Sequence, residues 1–154
     1  VADMFIFCCY TGVGYTEMAN LNKSNLQQEV DGNVWIKVYR QKTNRNYEIP
    51  LLSKAKSILD KYTTENKLLP IISNQRFNSY LKEIAEIIGI TKNLTHHMGR
   101  KTFASTVLLY NDVPMEIVSE LLGHSEIGVT QQHYAKVVKE KIGEQMMVLN
   151  SKLQ

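Results

Sequence analysis

Five residues of this sequence carry functional groups suited to one reaction: Lys42, His97, Arg100, His124 and Tyr134. His97 and Arg100 stand in THHMGRKTF at i, i+3 spacing, which projects both from one face of a helix. Arginine offers a planar fork of donors suited to phosphate oxygens, and histidine adds a donor or a base near neutral pH. His124 follows a helix-ending glycine in SELLGH, where a side chain is readily aimed into a cleft. Tyr134 comes ten positions later, in LLGHSEIGVTQQHYAKV. Each residue alone has an ordinary explanation: a packing tyrosine, a solvated His-Arg pair, a turn lysine. Together they supply a phenol nucleophile, two imidazoles, a guanidinium for a phosphate oxygen and an ammonium able to protonate a leaving alkoxide. That set is equipped for phosphoryl transfer.

No other motif competes with it. The GVG at 12–14 lacks a third glycine and follows a helical pattern rather than a strand, so it is no nucleotide loop. The four histidines (His96, His97, His124 and His133) include no i, i+4 pair, and neither cysteine is near them, so no metal site is expected. Cys8 and Cys9 are adjacent and cannot easily form a relaxed disulfide, which reads as reduced core thiols in a cytosolic protein.

The elements that must position these groups follow from periodicity. At 154 residues, with 44% apolar and 21% charged side chains, the chain reads as one globular domain rather than a disordered one. Its longest apolar run, MFIFCCY, is too short to span a bilayer and lacks the flanks of a signal peptide. The net charge of +3 permits an anionic partner without demanding one. Residues 1–10 read as an apolar helix, broken at Thr11-Gly12, with a second over 15–21. Val34, Ile36 and Val38 alternate with Trp35, Lys37 and Tyr39 as a strand, with a turn at 43–46 and a return over Tyr47 to Ile49. A further strand within Asn25 to Val30 would complete three. After Pro50 the pattern is helical, with helices around 55–62, 77–88, 95–110 and 114–122, a short one over 127–133 and a tail over 136–149. The expected class is mostly α with a small three-stranded antiparallel β-sheet.

In this order the segments resemble the catalytic domain of the tyrosine recombinases, the lambda-integrase-like family of phage and conjugative-transposon integrases. CCYTGVGYTEMANL resembles the family's first box, VYRQKTNRNYEIPL its lysine hairpin, THHMGRKTFAST its H-x-x-R box, and LLGHSEIGVTQQHYAKV its closing box. The resemblance implies a DNA breaking-rejoining fold and a site-specific recombinase that works without metal, ATP or other cofactor. By position, Tyr134 would attack a scissile phosphodiester and form a 3′-phosphotyrosine bond, and Lys42 would protonate the departing 5′-oxygen. Arg100 would clamp non-bridging oxygens, His124 would hydrogen-bond one of them, and His97 would contact the phosphate and handle the tyrosine proton. Lys101, Arg40, Arg45 and Thr43 would add DNA contacts.

The resemblance departs at Gly14, where the family's first box carries an arginine. Arg40, Arg45 or Lys101 could supply the missing cation. Two other readings use the same residues: a DNA-binding accessory module that has lost catalysis, and a type IB topoisomerase. The resemblance further implies double-stranded DNA as partner, a homotetramer on paired sites joined by the 136–154 tail, and a possible accessory DNA-bending protein. It also implies no membrane association and a cytoplasmic, nucleoid-associated location. The chain opens at Val1 directly into an apolar helix, which reads as an excised catalytic domain without the family's N-terminal core-binding domain.

Overall fold

The computed structural model describes residues 1–62 and 66–154. Helix α1 (Ala2–Thr11) is the central strut: Met4, Phe7, Cys8 and Thr11 are buried, and it packs between two later helices. It stops at Gly12, whose backbone is left-handed (φ 67°) and whose N–H donates to the Cys8 carbonyl at 2.8 Å. A Cβ at Gly12 would approach Leu122 to 2.8 Å, so glycine is required by space as well as by φ. Helix α2 (Tyr15–Asn20) follows immediately.

Strands β1 (Leu26–Gln28), β2 (Val34–Arg40) and β3 (Arg45–Pro50) form an antiparallel sheet in that order. The alternation seen in the sequence sets its faces. Ile36 opposite Ile49 and Val38 opposite Tyr47 are buried, while Lys37 pairs with Glu48 at 3.3 Å on the outer face. The β2–β3 reversal comes earlier than the expected 43–46. A 3₁₀ turn occupies Gln41–Thr43 and Asn44 takes the left-handed conformation (φ 51°), so Arg45 already pairs with Arg40. Asparagine tolerates that conformation, which lets the chain close the hairpin at 44.

Helix α3 (Ser53–Leu59) runs into a 3₁₀ turn at Asp60–Tyr62. Helix α4 (Asn74–Ile87) is capped by Ser73, buries Phe77, Leu81 and Ala85, and is left at Gly89 (φ 74°). The Asn78 side chain of α4 accepts the His96 backbone N–H at 3.0 Å and so fixes the start of α5 (His96–Thr102). The expected helix to Tyr110 keeps its course but changes pitch, becoming a π-helix over Phe103–Leu108 and then a 3₁₀ turn over Leu109–Asn111. Ser105 Oγ donates to the Lys101 carbonyl at 2.7 Å, a local bond that competes with the α-helical ladder where the pitch changes. Helix α6 (Met115–Leu121) starts after Pro114, which is its N-cap rather than a residue of its first turn.

Helix α7 (Gly128–Leu153) corrects the expected pair over 127–133 and 136–149: the two are one continuous helix. Neither glycine nor proline lies between His133 and Lys136, so nothing in the backbone stops propagation there. Val137 is buried, but Ile142, Met146 and Leu149 are exposed, so beyond Lys141 the helix carries an uncovered apolar stripe. Among the described residues no helix is long and apolar enough to cross a membrane.

Candidate active site

The C-terminal ends of α1 and α6 meet over α5, and Arg100 is held where they meet. Its side chain is 8% exposed; Nη1 donates to the Gly12 carbonyl at 2.5 Å and Nη2 to the Leu122 carbonyl. Both acceptors cap helix C-termini, where unpaired carbonyls and the helix dipole favour a cation. A buried guanidinium thus finds acceptors without a carboxylate ion pair among the described residues. Burial lowers its pKa, and Arg40 beside it lowers it further.

The α6 terminus also aims His124. Gly123 (φ 60°) donates to the Glu120 carbonyl at 2.9 Å and His124 N–H to the Ser119 carbonyl at 3.0 Å, the paired bonds of a Schellman cap. A Cβ on Gly123 would stand 2.7 Å from the Tyr47 ring, so β3 packs directly on this turn. The His124 imidazole is turned inward, with Nδ1 2.8 Å from Oγ1 of Thr130, a fully buried residue in the first turn of α7. Nε2 is then the nitrogen available to the adjacent cavity. Burial first, then the charges of Arg100 and Arg40 and the neighbouring His133, push His124 down to about 4, so the ring is neutral at pH 7.

Lys42, His97, Arg100 and His124 line one cavity of about 330 Å³, together with Arg40, Thr43 and Lys101. Among the described residues no aspartate or glutamate lines it. Lys42 reaches it from the 3₁₀ turn of the hairpin, and Thr43 Oγ1 lies 3.5 Å from the Gly123 carbonyl. His97 sits at the rim; partial burial, followed by Lys101, His96, Arg100 and Lys42, holds its pKa down. Seven of the nine residues singled out in the sequence are therefore brought together: these seven, without Arg45 and Tyr134.

Arg45 is committed elsewhere. Nη2 pairs with Glu120 at 3.0 Å and Nη1 donates to the His124 carbonyl at 2.6 Å, so it fastens the His124 loop from outside the cavity. Tyr134, 44% exposed, lies with Pro114, Met115 and Lys141 along a groove between α6 and α7. His133 lines the cavity instead. The helix explains this: Thr130 and Val137 form its buried line, and the successive residues His133 and Tyr134, ~100° apart, flank that line on opposite sides, one towards the cavity and one towards the groove. Lys141 fastens this arrangement through a 2.6 Å ion pair with Asp112.

Sequence reasoning missed Ser125 and His133 as cavity residues and Thr130 as the partner of His124. The Thr130–Val137 spacing marked a buried line of a helix but did not choose between His133 and Tyr134, and Ser125 had no signal. Among the described residues no three His, Cys, Asp or Glu side chains are placed to hold a metal ion. Both cysteines are free; burial pushes the Cys8 thiol up to about 12 and Cys9 to about 11, so neither is a thiolate at neutral pH.

The profile of the phage integrase family matches residues 2–141. A tyrosine recombinase XerD of Oceanobacillus iheyensis is 30% identical over 149 residues, covering 86% of this chain and 48% of its own. XerD of Listeria monocytogenes is 32% identical over the same coverage. The chain thus spans about half the length of these relatives. Among solved structures, XerH site-specific recombinase bound to a palindromic difH substrate, in a post-cleavage complex, superposes with a TM-score of 0.73 at 18% identity. That match covers 96% of this chain and 45% of the other. The Tn1549 transposon integrase in complex with circular intermediate DNA gives 0.71 at 16% identity, covering 93% and 59%. The catalytic domain of bacteriophage HP1 integrase gives 0.64 at 22% identity, covering 88% and 73%. The family match runs from α1 into α7, over most of the described fold, and the chain belongs to the phage integrase family.

Proposed function

We propose that this chain is the catalytic part of a site-specific DNA recombinase that cuts and rejoins strands through a 3′-phosphotyrosine bond. The observation that carries this reading is the cavity in which Lys42, His97, Arg100 and His124 converge with no carboxylate among the described residues. Such a site favours a phosphodiester and the extra charge that develops on its oxygens in the transition state. The Tyr134 phenol oxygen attacks phosphorus and the bond to the 5′-oxygen breaks. The neutral His97 accepts the phenol proton, and Lys42, on its exposed turn, gives a proton to the leaving 5′-alkoxide. Arg100 and the Nε2–H of His124 hold the non-bridging oxygens. The aryl ester conserves the bond energy, so a 5′-hydroxyl from another strand can reverse the step without ATP.

Tyr134 must leave its groove for this. Turning the first turns of α7 by about one residue's angle (~100°), or unwinding them, would exchange Tyr134 for His133 at the cavity. The exposed stripe Ile142, Met146 and Leu149 supports docking of the tail on a neighbouring copy, in a tetramer assembled on paired DNA sites. An additional N-terminal domain would close around the duplex, with an accessory DNA-bending protein and a nucleoid location as further expectations. Tyr134→Phe removes one oxygen from a half-exposed position. It should keep the fold and DNA binding while abolishing the heat-stable adduct on a nicked suicide substrate. An adduct formed by Tyr134→Phe would overturn the assignment.

A further inference from the structure

Arg100 is not alone at the Leu122 carbonyl. Arg40, at the end of β2, donates from Nη1 to the same oxygen at 2.9 Å and to the Gly123 carbonyl at 3.2 Å. Two guanidinium groups are therefore gathered at one acceptor. Lys42, Lys101 and the three histidines His97, His124 and His133 complete the wall around them. Among the described residues Arg40 has no carboxylate partner, unlike Arg45 five residues on, which is paired with Glu120. The site presents two half-buried or buried cations side by side, and backbone carbonyls of Gly12, Leu122 and Gly123 ease their mutual repulsion. Such a pair is stabilised by an anion that reaches both forks at once. Gly14 supplies no cation: it has no side chain, and a Cβ there would lie 2.5 Å from the Glu17 carboxylate.

We infer that Arg40 is the second phosphate-binding guanidinium of this site: with Arg100 it forms a two-arginine clamp on the non-bridging oxygens, in place of the cation absent at Gly14. The inference deepens the recombinase reading and rests on it for the identity of the ligand, but the anion site itself does not. Lys101 shares the cavity but not the carbonyl that sets the two forks together. A guanidinium with two amino nitrogens and one imino nitrogen can keep Nη1 on the Leu122–Gly123 turn while the remaining donors face the ligand.

The test separates ligand binding from the stapling that Arg40 also provides. Affinity for inorganic phosphate is measured by calorimetry on the folded chain, with thermal unfolding recorded without phosphate. Arg40→Gln should weaken phosphate binding at least tenfold, and Arg40→Lys should recover part of it. Arg45→Gln removes a bond to the same loop, so it should lower Tm comparably while changing phosphate affinity less than threefold. Covalent adduct formation is then compared on suicide DNA carrying either a phosphodiester or a neutral methylphosphonate at the scissile position. Arg40→Gln should lose at least tenfold on the phosphodiester and much less on the methylphosphonate, whose missing charge needs no second clamp. Equal losses on both substrates, phosphate affinity within twofold of the parent, or no phosphate binding by the parent would each overturn the role of Arg40. A parent that binds phosphate through Arg40 but forms no adduct would sink the recombinase reading and leave the two-arginine anion site standing.

Discussion

Thr130→Val deletes a single hydroxyl from a fully buried position and leaves the shape of the side chain almost unchanged. The hydroxyl is the partner of His124 Nδ1, at 2.8 Å. Valine leaves that nitrogen buried without a bond, at a cost of about 1–3 kcal/mol. The added methyl recovers part of this, for a net loss of roughly 1–2 kcal/mol. For a chain of this length that lowers Tm by ~2–8 °C. The effect on cleavage should exceed the effect on stability. When the threonine donates to Nδ1, the proton stays on Nε2, the nitrogen that faces the cavity, and the ring is fixed there. Without it both the tautomer and the ring orientation are released, and losing such an orienting bond costs about 10–100-fold. Single-turnover adduct formation on a nicked suicide substrate, with thermal unfolding in parallel, reads both quantities. Thr130→Ser keeps the hydroxyl and should cleave within a few-fold of the parent. Parental cleavage and Tm in Thr130→Val, or equal damage from Thr130→Ser, would refute the positioning role.

The pH dependence of stability follows from the same histidine. Its folded pKa, about 4, lies below the unfolded value of 6.5, so its contribution is complete above pH 6.5 and is lost as pH falls towards 4. The gap corresponds to ~3 kcal/mol at most, and His124→Asn should flatten urea-denaturation stability between pH 7 and pH 4.5 relative to the parent. Gly123→Ala puts a Cβ 2.7 Å from the Tyr47 ring at a left-handed backbone position. Strain of ~1–2 kcal/mol and overpacking of ~1–3 kcal/mol should lower Tm by more than Thr130→Val does, as calorimetry would show. Truncation after Glu144 keeps Val137 and Lys141 and removes only exposed residues. It should leave Tm within about 3 °C, since exposed positions contribute within ±0.5 kcal/mol each, yet abolish higher assemblies on paired DNA sites in native gels.

Most of the elements were legible because their causes are local. Alternation over Val34–Tyr39, the 3.6-residue period of Phe77, Leu81 and Ala85, and glycines at 12, 89 and 123 act within a few residues of chain. The pitch change at Phe103, where Ser105 bonds back to its own helix, carried no sequence signal; the unbroken α7 did, since neither glycine nor proline separates His133 from Lys136, and the expected break there was wrong. The residue types for phosphoryl transfer were also plain from the sequence, since donors, acids and nucleophiles are properties of side chains.

What those types do together was decided only in three dimensions. Two helix C-termini, from α1 and α6, supply the carbonyls that hold Arg100, and the sequence separates them by more than a hundred residues. Arg40 and Arg45 look alike as hairpin arginines. They stand opposite each other across β2 and β3 on one face of the sheet, and the Glu120 carboxylate divides them: Arg40 turns to the cavity and Arg45 to an ion pair. Tyr134 was named by sequence, but its direction belongs to α7: one residue of helix, ~100°, sends His133 to the cavity and the phenol to the groove beside Pro114. Chemical identity is written in the chain residue by residue, whereas convergence is set by how rigid elements pack, and no local pattern encodes that.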